Sequence, residues 1–169
     1  KIKFKKICLK IILRKMNFLI KLYKEGKLQL VEPSEEIKEA YLHKSSKSLS
    51  SAKALLKIGN LEDSVALAYY SMYHCLLALL FRTGIKCENH TGSIILLKNV
   101  FEIDNKNISN AKSERVDKQY YVDFDVSKDE TKQAIEIAED FIAEITDFIE
   151  RLNHNKINDY RNKTNRLLE

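Results

Sequence analysis

The sequence predicts an all-α protein, and three observations carry that reading. Only four glycines and one proline interrupt 169 residues, far fewer than the turns of an all-β domain require. Apolar residues recur at steps of three and four over long stretches, the period of a helix face. Capping residues stand where those stretches begin and end.

Helix by helix, the signals are these. Residues 34–58 read as a helix that Ser34 caps, with Pro33 stopping the chain upstream and Gly59 ending it in the left-handed conformation. Its apolar stripe is Ile37, Ala40, Tyr41, Leu49, Ala52, Leu55 and Leu56, and its middle holds Ser45, Ser46, Ser48, Ser50 and Ser51, which read as a solvated face. Residues 61–82 form a second helix, with Asn60 and Asp63 at capping-box spacing and Gly84 beyond its end. From Val65 to Phe81 its polar groups are Ser71, His74 and tyrosine hydroxyls, so it is the buried central helix. A loop over 83–89 leads to a helix over about 91–101, and an Asn-rich stretch leads to another over about 108–121. A loop over 122–126 precedes Ser127 and Glu130, a capping box. The last long helix runs to about Leu152 with Ala134, Ala138, Phe141, Ile145, Phe148 and Leu152 on one face, a stripe that Ile135, Ile142 and Ile149 widen, as in a bundle. Residues 153–169, rich in Asn, Lys and Arg, either extend that helix or are loosely ordered.

Charge is uneven. The net +5 comes from residues 1–15, which hold seven basic side chains and no acid; the rest has 22 basic against 24 acidic groups. The basic pI is therefore no sign of a nucleic-acid-binding face on the body of the protein. The first Met is Met16, and residues 1–15 read as an upstream extension of the reading frame, with a basic arm touching an anionic partner or membrane as the alternative. Three irregularly spaced cysteines form no disulfide framework, and no signal peptide or uninterrupted membrane span stands out. A cytoplasmic protein with no membrane partner is expected.

Few residues carry chemistry. The glycines are too scattered for a phosphate loop, and the Cys87–His90 pair falls short of the three or four ligands of a metal site, so no metal or other cofactor is expected. His74 reads as a core histidine. His90 stands at a loop-to-helix junction beside Thr91 and Gly92, where an imidazole suits proton transfer near neutral pH and helix N–H groups suit phosphate. Tyr69, Tyr70 and Tyr73 share a helix face, and Tyr120 and Tyr121 follow later; they either pack in the core or stack on bases.

Taken in order, these stretches resemble the HEPN domains. The residues are Ala68-Tyr69-Tyr70-Ser71-Met72-Tyr73-His74, then Leu79-Leu80, the Gly84 turn and His90-Thr91-Gly92-Ser93-Ile94. Arg115 with Tyr120, the helix holding Ala138-Glu139-Asp140-Phe141-Ile142, and Lys24-Glu25-Gly26-Lys27-Leu28 ahead of Pro33 complete the likeness, over about residues 16–152. The resemblance implies an up-and-down bundle of four or five helices, usually a homodimer. It also implies nucleotide or RNA binding beside a minimal nucleotidyltransferase, often as a toxin–antitoxin pair, or metal-independent RNase activity. The catalytic family pattern is Arg, four to six residues, then His. Here seven residues separate Arg82 from His90, and Leu67 and Ala68 stand where a basic residue often precedes the tyrosines.

Three functions follow for testing. The first is a module that binds nucleotide or RNA through Tyr69, Tyr73, Thr91, Gly92 and Tyr120. The second is an RNase with His90 as general acid or base and Arg82 or Arg115 stabilising the phosphorane. The third is a helical protein without a ligand.

Overall fold

The computed structural model describes residues 2–120 and 126–169, with side chains for 13–115 and 126–169. The loop expected over 122–126 lies almost wholly outside these residues, as do Tyr121 and the side chains of Cys8 and Tyr120. The described chain is all-α: α1 (Ile2–Lys24), α2 (Glu35–Ile58), α3 (Leu61–Arg82), α4 (His90–Asn99), α5 (Lys106–Tyr120), α6 (Lys128–Glu150) and α7 (His154–Leu168), with two short strands, β1 (Leu28–Leu30) and β2 (Ile85–Cys87).

The caps explain the boundaries. Ser34 accepts the Ile37 N–H, and Gly59 closes α2 at φ +82°. Ser127 and Glu130 form both halves of the capping box at α6. At Asn60 the expected box does not form. Its side chain donates to the Asp63 carboxylate at 2.8 Å instead of accepting from the helix. An Asn amide next to a carboxylate is drawn to that stronger acceptor.

Helices α2 and α3 form an antiparallel hairpin, and α3 also packs against α4, α5 and α6. Nearly every position of α3 from Ser64 to Leu80 is buried or half-buried. By length and composition α3 could cross a membrane, yet 78% of its most apolar window is buried in the bundle. Coverage comes from within one chain, so the apolar circumference of α3 gives no ground for a dimer. The serines of α2 divide. Ser45 is buried and donates to the Ser71 carbonyl at 2.7 Å, and Ser48 meets His74 Nδ1 at 3.2 Å, whereas Ser46, Ser50 and Ser51 face solvent. A small hydroxyl lets two helices approach and satisfies a carbonyl at their contact.

On α6 the buried line is Thr131, Ile135, Ala138, Phe141, Ile145 and Ile149, each large apolar member contributing roughly 1.5–3 kcal/mol. Within the expected stripe, Ile135 and Ile149 lie deeper than Ala134 and Phe148, which are half-buried. Residues 153–169 neither extend α6 nor lie loose. The chain turns at Arg151–Asn153, Asn153 caps a new helix by accepting the Lys156 N–H, and α7 buries Ile157, Thr164 and Leu168. Its composition hid this because only one narrow stripe is apolar. Tyr160 packs 5.0 Å from Phe101 and 5.9 Å from Phe148 between ring centroids.

The strands are the other departure from expectation. Residues 85–87, expected within a loop, pair antiparallel with 28–30, Leu28 opposite Cys87 and Leu30 opposite Ile85. Three residues are too few for a visible alternation. The ladder continues outward through Val31 N–H to Gly84 O at 2.9 Å and Ser34 N–H to Phe81 O at 3.0 Å. Arg161 of α7 clamps this junction, donating to the carbonyls of Val31 at 2.5 Å and Gly84 at 3.1 Å.

Candidate functional site

The site residues gather where the middle of α3 faces the start of α4 and the second half of α5. Asn89 caps α4 by accepting the Gly92 N–H at 2.9 Å, which presents His90 as the first helical residue. The half-buried imidazole lies flat on Tyr73, with ring centroids 3.8 Å apart and planes 11° from parallel. Its Nδ1 hydrogen-bonds the Tyr69 hydroxyl at 2.5 Å. Arg115 reaches in from α5, its guanidinium carbon 4.9 Å from the Tyr70 ring centroid and 5.8 Å from that of Tyr69. Such stacking is a cation–π contact. Lys112, one turn earlier on the same face, donates to the Thr91 hydroxyl.

Electrostatics follow from burial and these two cations. Burial first, then Arg115 and Lys112, hold the His90 pKa below its ordinary value, so the imidazole is neutral at neutral pH. Burial raises the Tyr69 phenol, and raises Tyr73 to about 12 against a partial offset from the Ser93 hydroxyl. Both phenols therefore stay protonated and can donate. Lys112 is lowered by burial and by Arg115. The patch thus joins a neutral imidazole, protonated phenols and two cations. Cys87 takes no part: its buried thiol is pushed up by burial and donates to the Asn89 carbonyl at 3.5 Å. Among the described residues no cluster of three or more His, Cys, Asp or Glu exists to hold a metal.

Of the residues read from sequence, His90, Arg115, Tyr69, Tyr73 and Thr91 come together. Arg82 does not. It stands at the far end of α3, nine residues and about 13 Å along the axis beyond Tyr73, and pairs with Glu35 at 3.4 Å. The extended chain of β2 and residues 88–89 runs back along α3, so His90 returns to the level of Tyr73 and leaves Arg82 behind. Gly92 is buried beneath the patch: a Cβ there would sit 2.6 Å from Leu22 of α1 and 3.0 Å from Cys87, so its role is close packing. Its N–H is already taken by Asn89, and the α4 start offers ligand that much less than expected. Tyr120 ends α5, and its side chain is not among those described. Sequence reasoning missed Lys112, which its three-residue step from Arg115 on α5 could have flagged, and gave Tyr70 no contact of its own. His74, expected as a core histidine, is half-buried at the edge of the core, held by Ser48 and stacked 6.1 Å from Tyr70.

Comparison with known proteins adds to this geometry. The profile of the HEPN domain matches residues 38–152, which span α2 to the end of α6 and include every residue of the patch. A UPF0332 protein of Pyrococcus horikoshii is 45% identical over 60 residues, covering 36% of this chain and 42% of the relative. The match thus spans less than half the length of that relative.

Proposed function

This chain belongs to the HEPN domain family, and from that premise we propose that it binds a nucleotide or RNA at the His90–Arg115 patch. In this reading it works as a cytoplasmic homodimer beside a minimal nucleotidyltransferase, in a module of the toxin–antitoxin kind. One observation carries the binding itself: a guanidinium lies 4.9 Å over a half-buried tyrosine ring beside an imidazole stacked on a second ring. Aromatic faces take a base and the cations take its phosphate. The partner and the dimer rest on the resemblance alone.

Titration with adenosine monophosphate and short single-stranded RNA tests the reading. His90→Ala and Arg115→Ala should each weaken binding by roughly 5- to 150-fold, the loss of about 1–3 kcal/mol of stacking and charge. Arg82→Ala should change nothing. Undiminished binding in the first two variants, or no binding by the wild type, would overturn it.

A metal-independent RNase is the second reading, favoured by the neutral, hydrogen-bonded imidazole. The ribose 2′-oxygen would attack the adjacent phosphorus, its proton passing to His90 Nε2 and from there to the 5′-oxygen as the P–O5′ bond breaks. A 2′,3′-cyclic phosphate and a free 5′-hydroxyl result. The Tyr69 bond sets the role of Nε2. With Nδ1–H donating to Tyr69, Nε2 holds a lone pair and is a base; with Tyr69 donating, Nε2 carries the proton and is an acid. Arg115 would stabilise the phosphorane charge. Cleavage in chelator, lost roughly 100-fold or more in His90→Ala at unchanged stability, is the expected sign.

A further inference from the structure

Beside the patch lies a cavity of about 720 Å³ between α1, α4 and α5. Thr91 and Lys112 belong to both, so the two are continuous. Phe18, Ile94 and Ile95 give it an apolar surface, and Arg14, Lys15, Lys21 and Lys112 are its charged residues, with no acid among the lining. The three α1 cations spread over two turns of helix, about 10 Å, and Lys112 faces them from α5.

That spacing selects among ligands. A mononucleotide needs one or two cations at one point, whereas cations spread along a groove track a polyanion. A duplex keeps its bases stacked inside and would leave the apolar surface empty. An unpaired strand offers bases to that surface and phosphates to the cations. We propose that this cavity is a flanking-nucleotide subsite for single-stranded RNA. A strand seated at His90 and Arg115 continues past Thr91 and Lys112, with its next bases on Phe18, Ile94 and Ile95 and its phosphates between Lys112 and the α1 cations. The inference rests on the binding reading above and adds the polymer and its path. Burial first and then Arg115 lower the Lys112 pKa, and an anion beside the ammonium would relieve the repulsion from Arg115.

Fluorescence polarisation with oligoadenylates of increasing length tests the subsite on the full chain. Affinity should rise at least 10-fold between adenosine monophosphate and a tetranucleotide. The double variant Lys15→Gln with Lys21→Gln should lose most of that gain yet bind adenosine monophosphate as before. Its salt dependence should flatten by about 1.4 in slope, two charges at about 0.7 each. Phe18→Ala, checked for folding by circular dichroism, should also lose the gain. An equal gain in wild type and double variant would overturn the subsite while leaving the patch intact. Equal affinity for a duplex, or tighter binding of a Glu-rich helical peptide that the double variant abolishes, would also overturn it, the latter in favour of a protein partner. If the wild type binds neither adenosine monophosphate nor any oligonucleotide, the patch and the subsite both fall.

Discussion

Gly84 holds φ at +69°, and a Cβ there would collide with the Val31 carbonyl and the Arg161 guanidinium. Gly59 has φ +82° and open space around it. Gly59→Ala should therefore cost only the left-handed backbone, about 1–2 kcal/mol. Gly84→Ala adds a backbone clash and should cost about 3 kcal/mol or more, roughly 6–12 °C in melting temperature for a chain of this size. Paired thermal melts check the contrast. A second prediction concerns His74, whose pKa burial, then Lys44 and His90, depress to about 4. Unfolded histidine binds its proton near 6.5, so between these values the unfolded chain holds one proton more. Stability should be complete above about pH 6.5 and decline toward pH 4, by up to about 3 kcal/mol. His74→Gln, which keeps an acceptor for Ser48, should flatten that decline in melts from pH 7 to 4. At this scale His90 was legible because a polar ring stood at a helix start. Lys112 was not, because only the packing of both α4 and α5 on α3 brings it to Thr91. Arg82 misled because nearness in sequence ignores the direction in which β2 carries the chain.

Among elements, α7 is the one whose importance composition concealed. It contributes Ile157, Leu168 and Tyr160 to the core and the Arg161 clamp to the Val31–Gly84 junction, where the chain enters α2 and leaves α3. Deleting residues 154–169 should lower the melting temperature by 10 °C or more, since about 1.5–3 kcal/mol per large buried side chain is lost. A chain beginning at Met16 should melt within about 2 °C of the full one, because the first buried apolar anchors described on α1 are Leu19 and Leu22. Helix α1 itself continues from Ile2 to Lys24 without a break at Met16. A loss on the second truncation as large as on the first would show that the early turns of α1 also hold the bundle. Caps at Ser34, Gly59 and Ser127 were readable because each acts within four residues. The two strands were not, because each is defined by a partner 55 or more residues away.

For the molecule as a whole, the bundle was legible because α3 is apolar nearly all round and must be surrounded. The way it is surrounded was not, since α1 and α7 pack together through narrow stripes that resemble solvated helices. The paired strands also act as a length gauge. Helices α2 and α3 have 24 and 22 residues, so they run about 36 and 33 Å in opposite directions. Their outer ends meet nearly level, and the chain entering α2 lies beside the chain leaving α3 once the hairpin has closed. The entropy of bringing those distant segments together is then already spent by helix packing rather than by the sheet. Evolutionary insertion of a whole turn into one helix would offset the strands by about 5.4 Å, more than one residue of pairing. The three-residue sheet therefore obliges the two helices to lengthen or shorten together, and it fixes the level on α3 to which the returning chain delivers His90.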